Sequence, residues 1–278
     1  MNSVIFTLTS ARSGTHYLKA LFQHNVRNCV CRHEPFFDWG NPTLFGRAIY
    51  DAHVGRLDRV KAQLAKKRQY ISHLQGDVYV ETSHAFLKSA YVAAMDFFPQ
   101  LQLVHLIRDP LKVAKSEAWR QQWRQRVHAP FHFYRADDGG RYFVWALTGK
   151  EEIFRSVNLA DLSLFQWCLI EWIEIENRAI QFLRQHRLEK RCVTLHTPGD
   201  LNDPGKVAAM FQILGLSLIH PTIQLRGHKS TSLKGSTVIT PEDEAEAEAV
   251  IAQLPPRYLE IFQEEPYRNY AWSRRLRP

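Results

Sequence analysis

Short apolar runs alternate with segments of helical periodicity along most of the chain. Five apolar runs are typical of buried strands and lie at 3–8, 28–32, 77–81, 101–107 and 191–196. Segments in which apolar residues recur every three to four positions lie at 15–24, 52–70, 85–98, 110–126, 162–187 and 204–214. Strands that alternate with helices predict an α/β fold, a three-layer sandwich with a central, mostly parallel sheet. Such sheets bind ligands beyond the carboxyl ends of their strands.

At 278 residues and without a recognisable linker, the chain favours one large domain over residues 1–278, with two small domains as the alternative. Asp203-Pro204 and Thr240-Pro241 each place a capping residue before a proline, which is typical of a helix start. Residues 120–160 break the alternation with a basic and aromatic stretch around Gly139-Gly140. We predict that this stretch is an inserted lid or ligand-binding loop.

The first apolar run leads into a tight turn, Ser10–Thr15, and a helix begins directly after it. A turn of this kind directs backbone N–H groups and the positive end of a helix dipole at one point, which suits phosphate or sulfate. It is not a Walker A loop, because its only glycine is Gly14 and its nearest cation is Arg12. Taken alone, the pattern also fits an ordinary turn before a helix.

A second candidate anion site follows the strand at 101–107. Arg108 stands at the end of that strand, Pro110 opens a helix, and Ser116 lies eight residues after Arg108. An arginine and a hydroxyl in this arrangement suit a second phosphate group. The alternative is that neither residue binds a ligand, so that Arg108 forms a salt bridge and Ser116 is an ordinary helix residue.

Together the two segments resemble the sulfotransferases that use 3′-phosphoadenosine 5′-phosphosulfate (PAPS). In that family an R/K-S-G-T turn holds the 5′-phosphosulfate, and a strand ending in V-x-R-[DN]-P with a later serine holds the 3′-phosphate. The resemblance implies a P-loop NTPase-like sulfotransferase fold. It implies donor-binding roles for Arg12, Ser13, Gly14, Thr15, His16, Tyr17, Arg108 and Ser116.

The resemblance is weaker in the second half of the chain. Gly199–Leu216 resembles the family's E-D-L…P…F-L-G-L run, but Gly199 replaces the glutamate. Arg226 and Lys229 lie in a segment that resembles the basic loop closing over the nucleotide, so the resemblance implies that they contact the donor; a solvated loop is the alternative.

Sulfuryl transfer is an in-line displacement in which positioning and electrostatics lower the barrier. Arg12 can stabilise charge on the leaving oxygen, and no metal is expected.

An acceptor hydroxyl also needs a general base. Glu34 matches the acidic residue of tyrosylprotein and carbohydrate sulfotransferases. His84 resembles the histidine of the K-T-H segment in cytosolic sulfotransferases, although Glu81 stands where lysine is usual.

The resemblance therefore predicts a transferase that moves sulfate from PAPS to a hydroxyl or amine of a small molecule or sugar. The reaction would release 3′,5′-adenosine bisphosphate (PAP). A nucleotide or small-molecule kinase is the alternative enzyme, disfavoured by the missing Walker lysine. The net charge of +8 and the aromatics among basic residues also fit a nucleic-acid-binding module. That hypothesis leaves both phosphate turns unexplained, so no nucleic acid partner is expected.

Cellular location is predicted from the cysteines and from hydropathy. Cys29, Cys31, Cys168 and Cys192 lack C-x-x-C spacing and are typical of reduced core thiols. No signal peptide is recognised, and no apolar run approaches the ~18 residues of a membrane span. We therefore expect a cytoplasmic protein without a membrane span. The sequence does not indicate an oligomeric state.

Overall fold

The central sheet consists of five parallel strands in the spatial order β2 (Cys29–Arg32), β3 (Val78–Glu81), β1 (Ser3–Thr9), β4 (Gln102–Ile107) and β7 (Cys192–His196). The computed structural model describes residues 1, 3–35, 38, 40–127, 130–225 and 238–277. Strands β5 (Phe133–Arg135) and β6 (Arg141–Phe143) form a separate antiparallel hairpin. In the sheet, Phe6 pairs with Glu81 on one side and with Leu103 on the other.

Eight α-helices surround the sheet within the described residues. They are α1 (Thr15–Asn25), α2 (Arg47–His53), α3 (Leu57–His73), α4 (Ala94–Phe97), α5 (Pro110–Arg126), α6 (Leu164–His186), α7 (Pro204–Ile213) and α8 (Pro241–Ile251). Asp109, Asp203 and Thr240 cap α5, α7 and α8 through their side chains, and a proline follows each cap. The predicted starts of α7 and α8 are therefore confirmed.

Alternation along each strand divides the core into two halves, one on each face of the sheet. Ile5 faces a cluster that includes residues of α1 and α7, such as Phe22 and Phe211. Phe6 faces the larger cluster, to which α3, α5 and α6 contribute. Helices therefore cover both faces, and the predicted three-layer α/β architecture is confirmed.

Two predicted helices differ from the observed ones. The segment predicted at 52–70 is divided between α2 and α3, because Gly55 adopts φ 73° between them. The segment predicted at 85–98 contains two single 3₁₀ turns and the short α4. Its backbone leaves the helical range at Ser89 and Ala93, both with φ −141°. The buried Lys88 Nζ donates to the Trp145 carbonyl, a tertiary contact that periodicity does not reveal.

The basic and aromatic stretch at 120–160 contains the end of α5 and the β5–β6 hairpin. Residues 143–147, which follow the hairpin turn, are buried against the larger core cluster. This stretch is thus joined to the core through its second half. Within the described residues, no helix is long and apolar enough to cross a membrane.

Candidate functional site

A cavity of about 330 Å³ opens at the carboxyl edge of the sheet, where β1, β2, β3 and β4 all end. Its lining comprises Ala11, Arg12, Gly14, Thr15, His16, Tyr17, His33, Glu34, His84, Arg108, Trp119, Arg120 and Arg124. Most of the residues singled out in the sequence therefore meet in one place. Parallel strands explain this convergence, because all their carboxyl ends point to the same edge.

The turn after β1 holds two residues in left-handed conformations. Arg12 has φ 63°, and Gly14 has φ 97° and directly precedes α1. A Cβ atom on Gly14 would lie 3.1 Å from Leu201 Cδ1, so both the backbone angle and the close packing favour glycine. The chain can therefore turn sharply enough to direct the first N–H groups of α1 at the cavity.

The two predicted phosphate segments are joined by reciprocal hydrogen bonds. Arg12 Nε donates to Ser116 Oγ over 3.0 Å, and Arg108 Nη1 donates to the Arg12 carbonyl over 2.6 Å. Burial lowers the pKa of both arginines, and the charge of Arg120 lowers that of Arg12 further. Arginines crowded in this way favour an anionic ligand, which would relieve their mutual repulsion.

The remaining donor-binding candidates occupy different positions. Thr15, His16 and Tyr17 line the cavity, whereas Ser13 is fully buried with its Oγ 3.1 Å from Ser10 Oγ. The Ser13 side chain therefore supports the turn from inside. Arg226 and Lys229 lie outside the described residues.

Glu34 and His84 form a contact pair at the ends of β2 and β3. Glu34 Oε1 lies 2.9 Å from His84 Nε2. Burial alone would raise the pKa of Glu34, but His84, then His33 and Arg120, lower it below its ordinary range. Glu34 adopts φ 42°, another left-handed position at this edge. Its side chain is 14% exposed, while that of His84 is 3% exposed.

His33 lies beside this pair and contacts the first turn of helix α1 through His16. Its Nδ1 lies 2.8 Å from the Thr82 carbonyl, and its ring centroid lies 3.7 Å from that of His16. Burial lowers the pKa of His33 although Glu34 is close, which favours the neutral imidazole at pH 7. The neutral ring can donate from Nδ1 to Thr82 and keep Nε2 as an acceptor.

A wall of cations and aromatic rings closes the side of the cavity next to α5. Arg120 pairs with Glu117 and lies over the Trp145 ring at 5.5 Å. Arg124 lies over the same ring at 4.4 Å, and the His132 ring packs 5.3 Å from it. Arginine binds aromatic faces well because its charge is delocalised over a plane. The rings hold both guanidinium groups beside the cavity.

The segment after β7 supports the first turn from behind. Asp200 accepts from the His196 N–H at 2.7 Å, and Leu201 packs close to Gly14. The resemblance of residues 199–216 to the family's E-D-L run therefore corresponds to a packing role for Leu201. Gly199, which replaces the family's glutamate, does not line the cavity.

A larger groove of about 820 Å³ lies elsewhere, along α6 and the 3₁₀ turns at 256–263. Its arginines are paired: Arg178 with Glu174 at 2.8 Å, Arg257 with Glu152 at 2.6 Å, and Arg184 with Glu264. Paired surface charges do not indicate a ligand. The smaller cavity, with its unbalanced charge, is the candidate site. Across the described ranges no group of three or more metal-ligating side chains occurs.

Apart from Ala11 of the first turn, four residues of the cavity were not singled out in the sequence: His33, Trp119, Arg120 and Arg124. The spacing of Ser116, Arg120 and Arg124 at i, i+4 and i+8 places them near one face of α5 and could have identified the two arginines. His33 directly precedes Glu34, and its position at the end of β2 is the feature of the sequence that could have identified it as a cavity residue.

No family model matches this chain, and no curated protein matches it. Among solved structures, a sulfotransferase from Alicyclobacillus acidocaldarius is similar, with a TM-score of 0.46 and 16% sequence identity. The alignment covers 91% of this chain and 94% of that protein.

Proposed function

We propose that the chain is a sulfotransferase that moves the sulfuryl group of PAPS to a hydroxyl or amine of a small molecule or sugar. The observation that supports this most strongly is the reciprocal connection of Arg12, Ser116 and Arg108, which joins the two predicted phosphate segments. The Glu34–His84 pair lines the cavity together with Arg12 and Arg108, whereas Ser116 lies behind Arg12 and outside the lining. One cavity would thus contain groups suited to a doubly phosphorylated donor and a base for its acceptor.

The donor would be bound by the first turn and the start of α5. Backbone N–H groups of Gly14 and Thr15, with the Thr15 hydroxyl, would bind the 5′-phosphate at the positive end of α1. Arg108 and Ser116 would bind the 3′-phosphate. Arg12 would stabilise the charge that develops on the leaving phosphate oxygen, a charge greater in the transition state than in the ground state. The resemblance adds Arg226 and Lys229 to the donor contacts.

Glu34 would accept the acceptor's proton, with His84 as a positioning residue. Glu34 is the more exposed of the two, and both ring nitrogens of His84 are buried. A carboxylate held ionised by His84 is free to receive a proton. Donor binding would place negative charge close to Glu34 and raise its pKa toward that of an effective base.

Ligand-induced thermal stabilisation tests the donor class. PAP should raise the melting temperature of the wild type more than ATP with Mg²⁺ does at the same concentration. The Arg108→Ala variant should lose most of the PAP effect, whereas Arg27→Ala, at an exposed position on the chain, should retain it. A preference for ATP with Mg²⁺ would instead identify a kinase. Transfer of labelled sulfate to phenols, sugars, amines and peptide tyrosine would then define the acceptor.

A further inference from the structure

Arg124 carries a positive charge that is not needed to bind either phosphate of the proposed donor. It lies eight residues beyond Ser116 on α5, which corresponds to about 12 Å along the helix axis. Ser116 and Arg108 already suit the 3′-phosphate, and the first turn suits the 5′-phosphate. Arg124 therefore borders the part of the cavity that remains for the acceptor.

Arg124 forms no ion pair in the described part of the chain, although the charges of Glu117 and Glu34 act on it from farther away. Arg120 has Glu117 as its ion-pair partner, but no described carboxylate lies within 4.0 Å of Arg124. Its Nη1 is buried and has no hydrogen-bond partner there. Burial, followed by the charge of Arg120, lowers the pKa of Arg124 to about 10. An anion bound here would offset both costs.

The surroundings of Arg124 also fix its orientation. Its guanidinium stacks on Trp145, which holds the plane of the donors in place. Buried nitrogens of the same wall, Trp145 Nε1 and His132 Nδ1, have no partner among the described residues. A cation and polar nitrogens gathered around one aromatic ring match a ligand that carries oxygen acceptors.

We propose that Arg124, stacked on Trp145, binds an oxyanion group of the acceptor, so that the acceptor is an anionic hydroxyl or amino compound. A carboxylate or an existing sulfate ester would supply the same chemistry. This inference rests on the proposed function, because it takes the donor to occupy the first turn. Arg124 would then select among acceptors while Glu34 receives the proton.

Matched probes test the inference on PAP-saturated protein at fixed ionic strength. One pair is 4-hydroxyphenylacetate and the uncharged 4-hydroxyphenylacetamide; the other is methyl glucuronide and methyl glucoside. In calorimetric or NMR titrations, the wild type should bind the charged member of at least one pair about tenfold more tightly. Arg124→Gln should reduce that preference to less than about twofold and leave PAP affinity nearly unchanged. Arg155→Gln removes an exposed charge outside the cavity and should preserve the preference.

The Arg124→Lys variant distinguishes loss of the charge from a folding defect. It keeps the positive charge and should retain part of the preference for the charged probe. The proposal is overturned if the wild type does not favour either charged probe, or if Arg124→Gln retains the preference. It is also overturned if Arg124→Gln weakens PAP binding instead, since Arg124 would then belong to the donor site. If PAP fails to bind the wild type, the proposed function fails, and the same titrations without PAP still decide whether Arg124 selects oxyanions.

Discussion

Glu34 Oε1 lies 2.9 Å from His84 Nε2 across the carboxyl ends of β2 and β3. The sequence offers these residues as alternative bases, but the structure places them in one pair. The pair is also coupled electrostatically, because His84 lowers the pKa of Glu34 against the effect of burial. We therefore expect their contributions to sulfuryl transfer to be interdependent.

The first prediction concerns the Glu34–His84 pair. Glu34→Gln should slow single-turnover sulfate transfer by about 10²–10⁴-fold, the range of general base catalysis. His84→Gln should slow it less, and the double variant should be no slower than Glu34→Gln, because paired groups act as one unit. His73→Gln, at an exposed position, is the matched control. Multiplicative effects of the two substitutions would contradict the pairing, and two unimpaired single variants would exclude both as the base.

The second prediction concerns pH. Burial would raise the pKa of Glu34, but His84 and His33 lower it below its unfolded value. A lowered carboxyl pKa contributes stability above the unfolded pKa of about 4.3, and this stability is lost as the pH falls through the folded pKa. In the donor-free enzyme Glu34 should therefore remain ionised between pH 7 and pH 5 and cause no acid decline in kcat/KM for PAPS there. His84→Gln should shift the acid decline to higher pH.

Two measurements check this pH dependence. Profiles of kcat/KM for the wild type and His84→Gln should separate below pH 7, with the variant declining first. Unfolding free energies should fall more steeply below about pH 4 in the wild type than in Glu34→Gln, because the variant has no carboxyl group to protonate. A wild-type decline centred near the ordinary histidine pKa of about 6.5 would instead assign the base to a histidine.

The third prediction concerns Arg12. Arg12→Ala should reduce turnover by about 10²–10³-fold, as expected for a group that stabilises transition-state charge. PAP binding should weaken only modestly, because Arg108, Ser116 and the N-terminus of α1 remain. Turnover and PAP affinity should be compared in the same preparation, with Arg27→Ala as the control for loss of one charge. Equal losses of affinity and turnover would indicate that Arg12 binds ground state and transition state alike.

The fourth prediction concerns a buried ion pair away from the cavity lining. Lys67 Nζ lies 2.7 Å from Glu81 Oε2, and both side chains are fully buried. Tyr79 also donates to Glu81, at 2.6 Å. Lys67→Met should lower the free energy of unfolding by about 3–5 kcal/mol, since it leaves a carboxylate buried without its cation.

Restoring neutrality should recover most of that stability. The double variant Lys67→Met/Glu81→Leu should lie much closer to the wild type in denaturant unfolding, because it removes both buried charges together. PAP affinity should stay within about twofold, since neither residue lines the cavity. A double variant as unstable as the single one would show that the pair's hydrogen bonds to Tyr79 and Asn41 dominate.

Local patterns predict the sheet and the first turn well. The five strands, α1 and α5 follow from short-range periodicity and from caps such as Asp109-Pro110, so they could be located without tertiary information. The contact between Glu34 and His84 could not, because it depends on β2 and β3 lying side by side, and α2 and α3 separate these strands in the sequence.

Arg124 illustrates a different limit of the sequence. A charged residue near the end of a polar helix is usually solvated. The neighbouring residues in the sequence do not distinguish a solvated arginine from one that is buried beside a cavity. The spacing on α5 can indicate Arg124 as a candidate, but its contact with Trp145 is a tertiary feature that local sequence does not reveal. The break at Ser89 is likewise accompanied by long-range contacts, because Lys88 donates to the Trp145 carbonyl and Ser89 donates to the Leu44 carbonyl.

The reciprocal bonds between Arg12, Ser116 and Arg108 mean that the first turn is not a portable module. Grafted onto another parallel sheet, the sequence Ser10–Thr15 would lack the arginine that braces its left-handed backbone and the hydroxyl that orients its side chain. Protein engineers who transplant this turn must move the start of α5 with it. Within this chain, a substitution in the first turn should alter the geometry at the start of α5, and a substitution at the start of α5 should alter the turn.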